Sequence, residues 1–200
     1  MNQRSLVIVV VSAALALGVA AFPANAFQGG PPAIGDAPPA GITPPHVVPS
    51  PPAKTSLKFD GGKITIAYSA PSMRKRVIFG ELVPFNAVWR AGANDATALQ
   101  TDLDLKLPGL NVPKGNYTLF VWVDPKQWQL IVNKQTGQSG LQYDQKQDLG
   151  RVPMQMSKSA KPLERFRITL SRLDKSDRGR LELAWEETLA TVDFSVAQQK

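Results

Sequence analysis

The sequence predicts an all-β protein: one antiparallel β-sandwich, or a flattened barrel, of about eight to ten short strands, carried behind an export signal and a proline-rich arm. Three observations lead there. From Thr55 onward, apolar residues recur with period two in short runs. Those runs are separated by Gly, Pro, Asn and Asp, the residues of tight turns. Nowhere does an apolar 3.6-residue period persist for three turns, so any helix is short. No self-similarity appears at spacings of about 20 to 50 residues, which argues against a propeller or a solenoid.

Residues 1–26 read as a secretory signal. Asn2 to Arg4 give a cationic start, Leu6 to Ala21 an uncharged apolar run, and Ala24-Asn25-Ala26 an A-x-A cleavage site. Cleavage after Ala26 predicts a periplasmic or secreted protein, held at a membrane only if the signal stays attached. Residues 27–54 carry nine of the 17 prolines, four glycines and almost no charge. Such a stretch is predicted to be a disordered, semi-stiff linker without ladder or helix.

Residues 55–197 then form a single domain. Leu57 and Phe59, then Ile64, Ile66 and Tyr68, flank Asp60-Gly61-Gly62 as a hairpin. Asp102 to Leu107 alternates fully, as a strand with one wet face does. Gly115 opens a turn before Tyr117 to Val123, which is apolar on both faces and reads as a central strand. Further strands are expected at 128–133, 152–156, 165–172, 180–187 and 191–196. With 174–179 as a loop, pairing residues whose numbers sum to 353 sets Ile168 opposite Trp185, Leu170 opposite Leu183 and Arg167 opposite Glu186.

Composition limits the chemistry. The chain has no Cys, and its one His, His46, lies in the linker, so disulfides, thiolates and histidine-centred catalysis have no basis. No cofactor and no metal site is expected. Asp102 and Asp104 fall short of the six to eight oxygens that Ca²⁺ takes. Nucleotide, zinc-protease and α/β-hydrolase signatures are missing, and Ser72-Met73-Arg74-Lys75 lacks the partners that would make S-x-x-K meaningful. The formal charge is +7, or +6 once Arg4 leaves with the signal. Its densest part is 158–180, where eight cations face Glu164, Asp174 and Asp177. Export sets nucleic acid aside as a partner and points to a polar or anionic envelope component.

The least strand-like segment is 69–97, with Ser69-Ala70-Pro71-Ser72, Arg74-Lys75-Arg76, Ile78-Phe79-Gly80, Val83-Pro84-Phe85 and Val88-Trp89-Arg90-Ala91-Gly92-Ala93-Asn94-Asp95. Together with Pro113 to Phe120, Trp128 to Lys134, Tyr143-Asp144, Asp148 to Val152 and Leu181 to Glu186, it resembles a bacterial exported family catalogued as domain of unknown function 2911. Ser139 and Leu141 stand where that family usually shows Trp and Ala, and Glu81 where it often shows Gly. The resemblance implies an export signal and a β-rich domain, with no reaction, substrate or cofactor attached.

Arg90 beside Trp89, followed by Gly92, Asn94 and Asp95, supplies a planar cationic fork, an aromatic platform, a tight turn and side-chain oxygens. With Arg76, Asn133, Lys134 and Tyr143 as neighbours, these residues are the candidate ligand-binding set. Two readings stay open: a site for a polar or anionic ligand, or a structural arrangement in which Trp89 packs in the core, Arg90 pairs with Asp95 and Asn94 closes a turn. The corresponding functions are a non-enzymatic binding module, a hydrolase using carboxylates such as Asp95, Glu81 and Asp144, or a protein-interaction domain.

Overall fold

A computed structural model describes residues 50–174 and 177–197. The signal segment, and the linker as far as residue 49, lie outside the described residues. Eleven strands follow in order: β1 Pro52–Phe59, β2 Gly62–Ser69, β3 Ala87–Trp89, β4 Thr97–Thr101, β5 Leu105–Leu107, β6 Leu110–Val112, β7 Gly115–Val123, β8 Gln129–Asn133, β9 Asp148–Pro153, β10 Gln155–Arg172 and β11 Arg178–Val196. A 3-10 turn at Gln145–Gln147 is the one helical element among the described residues.

All pairings between these strands are antiparallel, and they form two layers. The larger sheet runs β1-β2-β4-β7-β8-β9, with β3 also on β7, and the smaller runs β10-β11-β5-β6. The β1–β2 hairpin takes the expected register, Leu57 opposite Ile64 and Phe59 opposite Gly62. Pairing begins earlier than the expected boundary, since Pro52, Ala53 and Lys54 face Ser69, Tyr68 and Ala67. The reason is position: β1 is an edge strand, and an edge tolerates a proline at its first residue because one side of the strand needs no donor. Along one side the layers are joined without closing into a barrel. The Phe166, Ile168 and Leu170 amides of β10 donate to Pro71 O, Tyr68 Oη and Thr55 Oγ1 at 2.9, 2.8 and 3.2 Å in the order Ile168, Phe166, Leu170.

The expected strand over Asp102 to Leu107 forms only from Leu105. Before it the chain crosses from one layer to the other, and Asp102 and Asp104 spend their carboxylates on the Lys63 and Lys114 amides. In the β10–β11 hairpin the register is also different. Ile168 faces Leu183, Leu170 faces Leu181 and Arg167 faces Ala184, so the paired numbers sum to 351 and Arg167 does not meet Glu186. A slip of two residues keeps every side chain on its own face, which is why the apolar pattern accepts both registers.

Strand β11 doubles back on itself. Val196 N donates to Asp177 O at 2.8 Å and Arg180 reaches Asp193 at 2.6 Å, although a straight strand would hold positions 13 apart about 40 Å from each other. The reversal is centred on Glu186, whose φ of 51° lies in the left-handed region. Its carboxylate accepts the Ile78 amide at 2.9 Å.

Between the layers, Ile64, Ile66, Leu99, Leu119, Val121 and Leu130 meet Ile168, Leu183 and Phe194 in one core. At one end an aromatic cluster centres on Trp89, with Phe166 at 4.9 Å, Trp185 at 5.9 Å, Phe79 at 6.0 Å and Trp128 at 6.2 Å between ring centroids. Each such pair adds about 0.5–1.5 kcal/mol beyond area burial. Alternation along β7 and β8 also leaves Phe120 and Ile131 on the opposite face of the larger sheet, where they are buried although outside the main core. Residues 134–147 cover them, and that covering builds the site.

Candidate functional site

The covering segment is fixed at both ends. At its start, Asn133 is fully buried; its amide donates to Asp144 O at 3.0 Å and Asp148 Oδ1 at 2.9 Å, while its oxygen accepts the Gln135 amide. At its end, the Tyr143 hydroxyl donates to Asp148 Oδ2 at 2.7 Å and accepts from Arg151 Nη2 at 2.7 Å, and Arg151 also pairs with Asp148 at 3.1 Å. The Tyr143 ring meets Phe120 edge-on with centroids 5.0 Å apart. Burial, reinforced by the Asp148 carboxylate, pushes the Tyr143 hydroxyl up to about 12. It therefore remains protonated and donating at physiological pH.

In the middle, Gly140 packs on the loop after β3. A Cβ at Gly140 would collide with Arg90 Cδ and come within 2.5 Å of Asn94 O, so only glycine permits this approach. Asp95 and Ser139 complete the junction as a bridge between the two loops. That loop is itself tightly turned, with Ala91 and Asn94 at φ of 49° and 57°. Trp89 Nε1 and Thr97 Oγ1 hold it by donating to Gly92 O and Ala91 O.

This assembly leaves a cleft of about 310 Å³, bordered by Leu82, Pro84, Val88, Arg90, Leu141 and Tyr143, with Phe120 behind them. Arg90 is half-buried, and its Nε is sealed from solvent without a hydrogen-bond partner. Ion pairs form at Arg151–Asp148, Lys158–Glu187, Arg178–Asp174 and Arg180–Asp193, whereas Arg90 does not pair with Asp95. An Arg90–Asp95 pair is therefore not what holds these loops together. The alternative structural account holds for Trp89, which is a core side chain, whereas the Asn94 amide bonds Ser69 Oγ and Ser50 O rather than its own turn.

The other candidates separate. Arg76 is exposed and turns its guanidinium onto Met73 O and Ser72 O of its own turn, both at 2.9 Å. Asp95 faces a second cleft of about 490 Å³ on the outer face of β2, β4 and β7, with Gln100, Asn116 and Gln138. Lys134 is exposed and uses its amide on Gln147 O. Glu81 is exposed, and Asp144 caps the 3-10 turn by accepting the Lys146 amide. Asp95, Glu81 and Asp144 are thus not gathered into one acid–base site. Among the described residues no group of three or more His, Cys, Asp or Glu side chains stands together.

Arg90, Trp89 and Tyr143 are the candidates that meet at one cleft. Sequence reasoning missed Gly140, Phe120, Asp148 and Arg151. The spacing of Asp148 and Arg151 was the available signal, because residues three apart can share a fork across a bulged strand end.

A family model described as Protein of unknown function (DUF2911) matches residues 50–194, which takes in the strands of both sheets apart from the last two residues of β11. No curated protein matches the chain significantly, and no solved structure does.

Proposed function

The chain belongs to the DUF2911 family, and we propose that it is an exported, non-enzymatic module of the bacterial envelope that binds a polar anionic ligand in the cleft between β3 and residues 139–143. The observation that carries this reading is Arg90. A guanidinium with its Nε sealed from water and no protein acceptor has lost hydration without regaining a partner. An anion brought to its two terminal nitrogens supplies the counter-charge that no protein group provides, and can do so through two parallel hydrogen bonds. The platform beneath is rigid, because Trp89 is locked in the aromatic cluster and Tyr143 is locked by Asp148 and Arg151.

The test uses the mature chain and R90Q, incubated with insoluble peptidoglycan, with envelope polysaccharide and with anionic phospholipid vesicles. Retention of the wild-type chain by one of these is expected, with loss in R90Q at an unchanged melting temperature. Retention by none of them, or equal retention of R90Q, would overturn the proposal.

A further inference from the structure

Large apolar side chains scattered singly over a surface need no explanation, but a cluster of them at the mouth of a cleft does. Among the described residues the exposed large hydrophobics are Val77, Leu82, Phe85 and Leu141, at 52%, 45%, 39% and 84% exposure. All four lie on the two segments that border the Arg90 cleft, 77–85 and 139–143. Leu82 and Leu141 both line the cleft. Val77 is tied to Leu82 by the Leu82 amide, which donates to Val77 O at 3.5 Å. Phe85 lies over Gly80, where a Cβ would stand 2.7 Å from its ring, and Gly80 has φ of 97°. The loop thus packs a partly exposed phenyl ring next to the cleft-lining Pro84, at a position where only glycine fits beneath it.

Around Arg90, the border includes the apolar side chains of Leu82, Pro84, Val88 and Leu141 and the Phe120 ring, with Tyr143 as its other polar side chain. A small hydrophilic anion would satisfy Arg90 and leave this border in water. A ligand with an apolar body satisfies both. We infer that the ligand is amphipathic, a carboxylate or phosphate monoester head on Arg90 with an alkyl or aryl chain laid across Leu82 and Leu141 towards Phe85. The inference rests on the Arg90 reading above and adds the chain to it. The same head-and-chain chemistry belongs to a free fatty acid and to a lipid in a bilayer.

The experiment titrates the mature chain by calorimetry with acetate, hexanoate, octanoate and decanoate below their micelle concentrations, with decyl phosphate, and with decanol as the uncharged control. Affinity should rise about two- to fourfold per added methylene, and decanol should bind at least tenfold more weakly than decanoate. L82S/L141S changes two exposed side chains, so it should fold as the parent does while flattening the dependence on chain length. R90Q should erase the difference between decanoate and decanol and keep the dependence on length. Anionic vesicles separate the two sources: binding lost in both variants, with decanoate failing to compete, places the chain in a membrane lipid, whereas competition by decanoate places it in a free amphiphile. Equal affinity for acetate and decanoate would overturn the inference and leave the anion site standing. Failure of every anion and of the vesicles would overturn the inference, and would overturn the Arg90 reading too unless peptidoglycan or polysaccharide retains the parent and not R90Q.

Discussion

In sequence, Arg76 and Arg90 are equivalent candidates, each a cation beside turn residues. They differ in what their surroundings supply. Arg76 sits in a turn whose carbonyls fold back onto it, so its fork is satisfied locally. Arg90 leaves the end of β3 under the 139–143 segment, where Gly140 presses on its aliphatic stem and no acceptor reaches its Nε. Removing one member of a buried ion pair typically costs about 3–5 kcal/mol. Removing an unpartnered half-buried cation should cost far less, because nothing is left behind uncompensated. R90M, which keeps the stem and drops the charge, should therefore unfold in urea within about 1 kcal/mol of the parent. A loss of about 3 kcal/mol would show that a partner for Arg90 exists in solution. Asn133, a candidate neighbour in the sequence, is buried, because Asp144 and Asp148 of the returning segment accept both hydrogens of its amide.

For single elements, the sequence was legible wherever periodicity alone decides the outcome. The β1–β2 hairpin, the two-faced apolar β7 and the halves of β11 all follow from it. What stayed hidden were elements set by their neighbours. Strand β4, Thr97–Thr101, carries a weak pattern and is held by pairing with β2 and β7 on both sides. Strand β3 is three residues long and exists because β7 extends past the end of β4. The predicted hairpin register is two residues off because the apolar and polar faces accept both registers, and the reversal at Glu186 fixes one of them. There the left-handed backbone costs roughly 1 kcal/mol for a residue with a Cβ, and the carboxylate offsets it by capping the buried Ile78 amide. The two contributions can be separated. E186A should lose the cap while keeping the backbone cost, destabilising by about 1–3 kcal/mol. E186G loses the cap and relieves the backbone, so chemical denaturation should rank it above E186A. The reverse order would mean that the turn is not strained in solution.

Across the whole molecule, the positive balance reads differently once the strands are placed. Lys158, Lys161, Arg165, Arg167 and Arg172 are all exposed along β10, the outer strand of the smaller sheet. Charged side chains and Pro162 on such an edge discourage pairing with another chain, a role that needs no ligand. Several of these cations also have local partners: Arg172 lies over the Phe59 ring at 4.4 Å, and Lys158 meets Glu187 at 3.6 Å in full solvent, where the pair contributes little. The Arg180–Asp193 fork clasps the two halves of β11 with two bonds of 2.6 and 3.0 Å.

That clasp gives the molecule a signature in acid. The hydrogen bonds from Arg180 hold the Asp193 carboxyl below its ordinary value, against a smaller opposing effect of burial. A lowered folded-state pKa means that the stabilisation is fully present above the unfolded value of about 3.9 and disappears as pH falls through the lower folded value. Thermal unfolding followed from pH 7 to pH 2 should therefore show the parent losing part of its stability below about pH 4. D193N, which cannot titrate and accepts more weakly, should start less stable at neutral pH and lose less on acidification, so that the two curves converge at the acid end. Added salt should narrow their separation at pH 7, because both side chains of the pair are partly open to solvent. If the two curves stayed parallel down to pH 2, the fork would contribute nothing through the Asp193 charge, and the reversal of β11 would rest on Glu186 and the surrounding apolar packing alone.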